Sequence, residues 1–298
     1  MIKRDIAGAV GVTVTPFTLG EQPDFYEIER QTEALCESDI DGIFPCSSTG
    51  EYPKISIENK EKIMELVAKT NRGRKFLIAG ACSASVDEIN RLIDKAKNLA
   101  YDACLICPPY YYPLSQSGVL EFYRSVCEYA GDMRIVAYNV PFFTTGIELD
   151  TFTELLKIPN LVGMKDSTGN LKRISHESDV ADRIRPEFIV YSGTDDCLLP
   201  SLVAGVKGSM TAFGAIFPNV IKSIYANFKN GNTEEARKIQ RSILPLLRLA
   251  DSVEFPFGYK IVAKACGLKT ILSTGFADNE KAERLYAEIK TEVKKLTR

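Results

Sequence analysis

Lys165 is the residue of this 298-residue chain whose position most clearly suggests chemistry, because it directly follows an apolar run at residues 161–164. A lysine in this position either extends to solvent or is buried at the end of a strand, where loss of hydration favours the neutral amine. A neutral amine attacks carbonyl carbon and forms an imine. Lys165 is therefore the candidate nucleophile.

A short segment rich in hydroxyl groups, residues 47–51 (SSTGE), follows another apolar run at residues 42–46. The backbone N–H groups of such a loop can cradle an anion, so Ser48, Thr49 and Gly50 are candidate ligands of a carboxylate. The same residues are also compatible with an ordinary turn.

Phenol side chains follow two further apolar runs. Tyr138 lies at the end of the run at residues 134–139, and three consecutive tyrosines at residues 110–112 follow the run at residues 103–107. A phenol at the end of a strand can transfer a proton to or from a bound substrate. Tyrosine triplets are also common as plain packing, so this motif alone leaves both interpretations open.

Two carboxylates, Asp195 and Asp196, come after the apolar run at residues 188–192 and the small residue Gly193. Carboxylates at such a position either hold substrate hydroxyl groups or cap the helix that follows. The sequence by itself does not decide between these roles.

Eight apolar runs alternate with segments of helical periodicity, which predicts parallel strands joined by right-handed helical crossovers. The first turn lacks the G-x-G-x-x-G of a dinucleotide-binding sheet, so a closed (β/α)8 TIM barrel of class α/β is favoured over an open sheet. In such a barrel the chemistry lies at the C-terminal ends of the strands. The predicted strands are residues 7–14, 42–46, 76–81, 103–107, 134–139, 161–165, 188–192 and 208–212.

After the eighth unit the strand signals stop and helical patterns continue at residues 233–250, 256–266 and 279–296. The Asn-Gly-Asn at residues 230–232 is a natural break. The predicted organisation is a barrel catalytic domain at residues 1–229 and a C-terminal helical domain at residues 230–298.

Composition excludes several classes of function. A formal net charge of -2 with interspersed signs disfavours nucleic acid as a partner, and no segment approaches the ~18 apolar residues of a membrane span. The chain has one histidine, His176, in a polar stretch, and Cys104 and Cys107 lie in an apolar run, so no metal site is expected. No signal-peptide core follows the first residues, and the cytoplasm is the expected location.

Four motifs, at residues 47–51 (SSTGE), 108–113 (PPYYYP), 138–141 (YNVP) and 163–170 (GMKDSTGN), together resemble the dihydrodipicolinate synthase and N-acetylneuraminate lyase superfamily. The resemblance covers essentially the whole chain. It implies a pyruvate-dependent class I aldolase or lyase on a TIM barrel with a helical tail. It also implies that no cofactor is used beyond a covalent imine.

The resemblance assigns roles residue by residue. Lys165 matches the Schiff-base lysine, and Tyr138 matches the phenol that moves protons at the imine centre. Ser48 and Thr49 match the loop that binds the pyruvate carboxylate and relays a proton. Tyr111 matches a tyrosine that reaches into a neighbouring subunit's site, which implies a dimer as the minimal unit and a homotetramer, a dimer of dimers, as the expected assembly.

The expected substrate depends on departures from this pattern. Phe143 stands where the synthase branch has an arginine that grips the second carboxylate of aspartate semialdehyde. Asp195 and Asp196 resemble the acidic pair of the sialic acid lyase branch, although Ala212 replaces a serine of that branch. The expected substrate-binding residues are Ser48, Thr49, Gly50, Phe143, Ser167, Gly193, Asp195 and Asp196.

The preferred reaction is therefore the cleavage or formation of a polyhydroxylated 2-keto acid, such as a 2-keto-3-deoxy sugar acid or N-acetylneuraminate, with pyruvate and an aldehyde as partners. The first alternative is 4-hydroxy-tetrahydrodipicolinate synthase, which condenses pyruvate with aspartate semialdehyde. The second is a barrel that binds a keto acid without catalysis, since fold alone does not determine function.

Overall fold

Eight parallel strands close into a barrel in the computed structural model, which describes residues 4–271 and 279–296. Each strand pairs with the next along the chain, and the first closes on the last with Gly8 opposite Gly208. The predicted barrel is confirmed. The strands are β1 Gly8–Val12, β2 Gly42–Phe44, β3 Phe76–Gly80, β4 Ala103–Ile106, β5 Ile135–Asn139, β6 Leu161–Asp166, β7 Ile189–Ser192 and β8 Gly208–Thr211.

Helices surround the barrel, and local sequence starts several of them. Asp24 and Ser56 are side-chain N-caps that accept hydrogen bonds from the amides of Glu27 and Asn59. The helices are α1 Phe25–Glu37, α2 Ile57–Asn71, α3 Val86–Asn98, α4 Gln116–Ala130, α5 Leu149–Leu155, α6 Leu171–Ile184, α7 Leu198–Val203, α8 Ala212–Ile216, α9 Pro218–Lys229, α10 Thr233–Ala250, α11 Phe257–Ala265 and α12 Asn279–Leu296, with a 3-10 turn at Tyr52–Lys54.

Side chains fill the lower interior of the barrel. Val10, Ile78, Leu105 and Met210 are fully buried there, and the Tyr191 hydroxyl donates to the carbonyl of Ile6 at 2.7 Å. This packed floor leaves the C-terminal ends of the strands as the place where ligands have access.

The main departure from the predicted elements is at the end of β8. Residues 208–212 were expected to form the strand, but Ala212 opens the short helix α8. The Thr211 side chain accepts a hydrogen bond from the Gly214 amide and so caps this helix. The sequence did not reveal this change, because a buried strand and a buried helical turn have the same apolar pattern over five residues.

The three predicted C-terminal helices are present as α10, α11 and α12. The helix α10 packs against α9 and α12, and α11 contacts α8. None of the described helices is long and apolar enough to cross a membrane. Cys104 and Cys107 are buried and unpaired, as expected, and His176 lies on the exposed face of α6.

Candidate active site

A cavity of about 580 Å³ opens at the C-terminal ends of the barrel strands. Lys165 on β6 and Tyr138 on β5 line it, together with Thr49 from the loop after β2. Ser167, Gly193, Asp195, Asp196 and Phe143 also line this cavity. The structure thus brings together residues that the sequence places far apart.

The Lys165 side chain is 5% exposed and does not extend to solvent. Its Nζ lies 4.5 Å from the centre of the Tyr138 ring and 5.6 Å from that of Phe44. Among the described residues, no carboxylate lies within 4 Å of Nζ. The amine therefore lies against aromatic rings at the cavity, where a carbonyl carbon of a bound substrate can approach it.

Gly193 provides the space through which the Lys165 side chain passes. A Cβ at this position would lie 2.9 Å from Lys165 Cε and 2.0 Å from Ser167 Oγ. The Gly193 amide donates to the carbonyl of Asp166 at 2.7 Å, which holds the two strand ends together. The absence of a side chain at Gly193 therefore leaves room for the lysine, and the expected contact of Gly193 with substrate stays a prediction.

Gly193→Ala is expected to lower turnover by about 10²-fold, because the new methyl group displaces Lys165 Cε and Ser167 Oγ by about an ångström. Steady-state kinetics would measure the loss. Gly20→Ala is the matched control, since the nearest atom to its added Cβ is 3.9 Å away. Equal activities for the two variants would contradict the positioning role of Gly193.

Tyr138 is held in place on both sides. The Ser167 hydroxyl donates to the Tyr138 hydroxyl at 3.3 Å. The Tyr138 amide donates to the hydroxyl of Tyr123 at 3.2 Å, and Tyr123 in turn donates to the carbonyl of Ile106. The phenol therefore sits at a fixed position beside Lys165, as proton transfer to a bound substrate requires.

The loop at residues 47–51 contributes to two cavities. Thr49 lines the catalytic cavity, while Ser48 lines a neighbouring one of about 520 Å³. Gly50 reaches neither, because its amide donates to Ser47 Oγ at 3.0 Å and an added Cβ would lie 2.9 Å from Thr15 Oγ1. The structure therefore gives Gly50 a packing role in the turn instead of the expected contact with substrate.

Tyr111 also lies outside the catalytic cavity. It is 86% exposed, has a backbone φ of 84°, and lines the neighbouring cavity together with Ser48. Within one chain this phenol does not approach Lys165. A role for Tyr111 in catalysis therefore needs a second subunit, as the sequence motif implied.

Carboxylates form part of the cavity wall. Asp195 is buried, and its Oδ2 accepts a hydrogen bond from the Phe213 amide at 3.3 Å. Its Oδ1 has no partner among the described residues. Burial raises the pKa of the Asp195 carboxyl to about 7. Asp196 instead accepts from both terminal nitrogens of Arg248 at 3.3 Å.

The outer wall comes from the C-terminal helices, which the sequence did not reveal. Asp251, Phe255 and Tyr259 all line the cavity. The Tyr259 hydroxyl donates to Asp251 Oδ1 at 3.0 Å, and the Phe255 ring lies 5.8 Å from that of Phe143. No local pattern marks these residues, because only the packing of α10 and α11 on the barrel brings them to its mouth.

A buried charged cluster lies behind Lys165. Asp166 Oδ2 accepts hydrogen bonds from the side-chain Nδ2 of Asn139 at 2.5 Å and from Arg173 Nε at 3.1 Å. The same Arg173 nitrogen lies 2.7 Å from Glu177 Oε1. Burial, and then the neighbouring charge of Asp166, raise the pKa of Glu177 to about 8. The cluster anchors the residue adjacent to the nucleophile.

Glu177 makes stability depend on pH. Its pKa rises from the ordinary 4.5 to about 8 in the folded protein, so the folded state keeps a proton that the unfolded chain releases in this window. The contribution of Glu177 to the free energy of unfolding falls as pH rises from about 5 to about 8. Glu177→Gln is therefore expected to gain stability relative to the wild type over that range, as measured by denaturant unfolding. The exposed Glu128→Gln is the control, and a pH-independent difference for Glu177→Gln would contradict the assignment.

Comparison with known proteins agrees with this geometry. The model of the dihydrodipicolinate synthetase family matches residues 5–290. The chain belongs to this family. A 4-hydroxy-tetrahydrodipicolinate synthase of Dehalococcoides mccartyi (strain ATCC BAA-2100 / JCM 16839 / KCTC 5957 / BAV1) is 30% identical over 267 residues, which are 89% of each chain. Members of the dihydrodipicolinate synthetase family are pyruvate aldolases and lyases whose only prosthetic chemistry is a covalent imine between lysine and pyruvate.

Solved structures of the same family superimpose closely. The dihydrodipicolinate synthase of Aquifex aeolicus is 28% identical, with a TM-score of 0.87 over 96% of this chain and 98% of that one. A monomeric dihydrodipicolinate synthase variant is 25% identical, with a TM-score of 0.88 over 97% of each chain. Family membership therefore does not by itself determine the number of subunits.

Proposed function

We propose that the protein is a class I aldolase or lyase that forms an imine at Lys165 and cleaves or builds a polyhydroxylated 2-keto acid, with pyruvate and an aldehyde as the other partners. The observation that carries the proposal is the burial of Lys165 against the Tyr138 ring, 4.5 Å away, in a cavity that Asp195 also lines. Nucleophile, proton carrier and hydroxyl acceptor face one space.

The reaction begins when neutral Lys165 attacks the C2 carbonyl of the keto acid and water leaves, which gives a protonated imine. In the cleavage direction Tyr138 takes the proton of the C4 hydroxyl, the C3–C4 bond breaks, and its electrons move into the imine. The aldehyde departs. The resulting enamine is protonated at C3, and hydrolysis of the imine releases pyruvate. The synthetic direction reverses these steps.

The carboxylate of the keto acid is proposed to lie against the loop after β2. Thr49 lines the cavity, and hydroxyl and amide groups of such a loop are the donors that bind a carboxylate. Thr49 is also proposed to relay a proton between the substrate and Tyr138, because both residues line the cavity and the loop resembles the motif with that role.

The remainder of the substrate is proposed to be neutral and rich in hydroxyl groups. Asp195 and Asp196 both line the cavity, and carboxylate oxygens accept hydrogen bonds from hydroxyl groups. Phe143 offers no charge to a second carboxylate, and no arginine is among the described side chains that line the cavity. Arg248 pairs with both Asp196 and Asp251, so it is not a free cation for such a carboxylate.

The second candidate function is 4-hydroxy-tetrahydrodipicolinate synthase, the activity for which the curated relatives are named. At 30% identity a relative can differ in its acceptor aldehyde while it keeps the imine chemistry. The comparisons favour this candidate over the hydroxylated acid. The observations that support a hydroxylated substrate are Phe143 and the carboxylates that line the cavity.

Trapping and a substrate panel test the proposal. Borohydride with pyruvate should add mass to the peptide that carries Lys165; no adduct in folded protein would favour the non-catalytic alternative.

Initial rates with 2-keto-3-deoxy sugar acids, N-acetylneuraminate, and pyruvate plus aspartate semialdehyde then identify the second partner. Phe143→Arg sharpens the comparison, because it should raise synthase activity and lower cleavage of the hydroxylated acid. Higher synthase activity in the wild type than cleavage of any sugar acid would establish the second candidate instead.

A homotetramer, a dimer of dimers, is proposed as the assembly. Tyr111 and Tyr112 are 86% and 76% exposed next to the cavity that contains Ser48, and exposed aromatic rings of this kind are typical of subunit contacts. Light scattering coupled to gel filtration gives the mass directly. A monomer with full activity would remove Tyr111 from the catalytic set.

A further inference from the structure

A buried ion pair that the proposed reaction does not use joins the C-terminal helices to the loop after β2. Lys260 on α11 is 1% exposed, and Glu51, the last residue of that loop, is 4% exposed. Lys260 Nζ lies 2.5 Å from Glu51 Oε1. The pair spans 209 positions of sequence and has the burial and distance of a strong tertiary contact.

Glu51 is also the point at which the loop changes direction. Its backbone adopts the left-handed conformation, with a φ of 59°, which is costly for a residue with a side chain. Its amide donates to the carbonyl of Ser48 at 3.0 Å, and its carbonyl accepts from the amide of Lys54. The position of Glu51 therefore determines the direction of the backbone that carries Ser48 and Thr49.

Lys260 contacts the loop after β1 as well. Its Nζ lies 4.5 Å from the centre of the Phe17 ring, and the Phe17 amide donates to Thr270 Oγ1 at 3.1 Å. A single buried ammonium group thus connects α11 with the loops that follow two adjacent strands, β1 and β2. Charged groups are expensive to bury unless they are paired, so this contact resists displacement.

We propose that Glu51 and Lys260 are positioning residues of the pyruvate site: their ion pair holds the loop at residues 47–51 in the conformation that receives the keto-acid carboxylate. The inference rests on the proposed function, because it assigns that loop to the carboxylate. Neither residue lines the cavity that contains Lys165, so both act through Ser48 and Thr49.

The positioning role predicts a change in pyruvate half-saturation that is larger than the change in kcat. Greater mobility of the loop weakens binding of the substrate carboxylate. It leaves Lys165, Tyr138 and the part of the cavity wall that contains Asp195 in place. Half-saturation by pyruvate should therefore rise about 10-fold in Glu51→Gln and Lys260→Met, while kcat at saturating pyruvate changes less than about threefold. The half-saturating concentration of the second substrate should stay unchanged.

The experiment measures pyruvate half-saturation by borohydride trapping, together with hydrogen exchange of the amides at residues 47–51. Removing one partner of a buried pair can unfold a protein, so the double variant Glu51→Met/Lys260→Met, which leaves no lone buried charge, is included. Lys222→Met is the matched control: it breaks the 2.8 Å pair with Asp41, next to the N-terminal end of β2 and away from the cavity.

The expected result is faster hydrogen exchange in the loop and weaker pyruvate binding in Lys260→Met and in the double variant, but not in Lys222→Met. Unchanged loop exchange and pyruvate half-saturation within twofold in folded variants would overturn the positioning role, even if melting temperatures fall. Absence of a pyruvate adduct in the wild type would instead refute the proposed function. Hydrogen exchange would still show in that case whether the ion pair orders the loop, and unchanged exchange would overturn the inference independently.

Discussion

Lys165→Ala is expected to abolish the borohydride-trapped pyruvate adduct and to lower turnover by roughly 10⁴-fold or more, because no other described amine lines the cavity. Lys165→Arg separates charge from nucleophilicity: the guanidinium keeps a positive charge but does not form the imine, so it should be as inactive as alanine. Mass spectrometry of the trapped protein and steady-state rates measure both effects.

The control for this prediction is Lys69→Ala, which removes an exposed amine on α2 and should behave as the wild type does. Turnover within tenfold of the wild type in Lys165→Ala would contradict the imine mechanism as a whole. Adduct formation that persists in Lys165→Ala would move the nucleophile to another lysine.

Tyr138→Phe should lower kcat by about 10² to 10³-fold, because it removes the group that moves protons between the substrate hydroxyl and the enamine. The ring remains, so its contact with Lys165 Nζ at 4.5 Å is retained and the lysine stays in place. Trapping of pyruvate should therefore continue at a reduced rate while carbon–carbon bond cleavage nearly stops. Rapid-quench kinetics separates the two steps.

The matched control is Tyr26→Phe, since Tyr26 lies on α1, is 70% exposed and does not line the cavity. An unchanged rate in Tyr138→Phe would remove this phenol from the mechanism. Ser167 would then be the remaining hydroxyl next to Lys165 and the next group to replace.

The strand-borne part of the site could be predicted from sequence for a physical reason. Lys165 and Tyr138 lie at the ends of apolar runs and Asp195 comes three residues after one, and parallel strands in a barrel place such ends on a common face. The backbone alone therefore determines that these side chains converge. This reasoning from strand ends does not extend to Gly50, because the sequence of a loop does not show which atoms a backbone amide contacts.

The outer wall could not be predicted from sequence. Asp251, Phe255 and Tyr259 lie in or next to helical segments with ordinary amphipathic patterns, and their approach to the cavity depends on how α10 and α11 dock on the barrel. The pairing of Glu51 with Lys260 was missed for the same reason. Contacts between elements distant in sequence leave no periodic signal.

The origin of that outer wall bears on how the activities of relatives are compared. The strands and the helices around them make up most of the chain, and Lys165 and Tyr138 lie on the strands. The surface that meets the second substrate includes Asp251 and Phe255, which lie in the short connection between α10 and α11. We therefore expect a few substitutions in that connection to change the preferred aldehyde while the rest of the chain stays similar. Substrate assignments within the family are better made from this segment than from full-length identity.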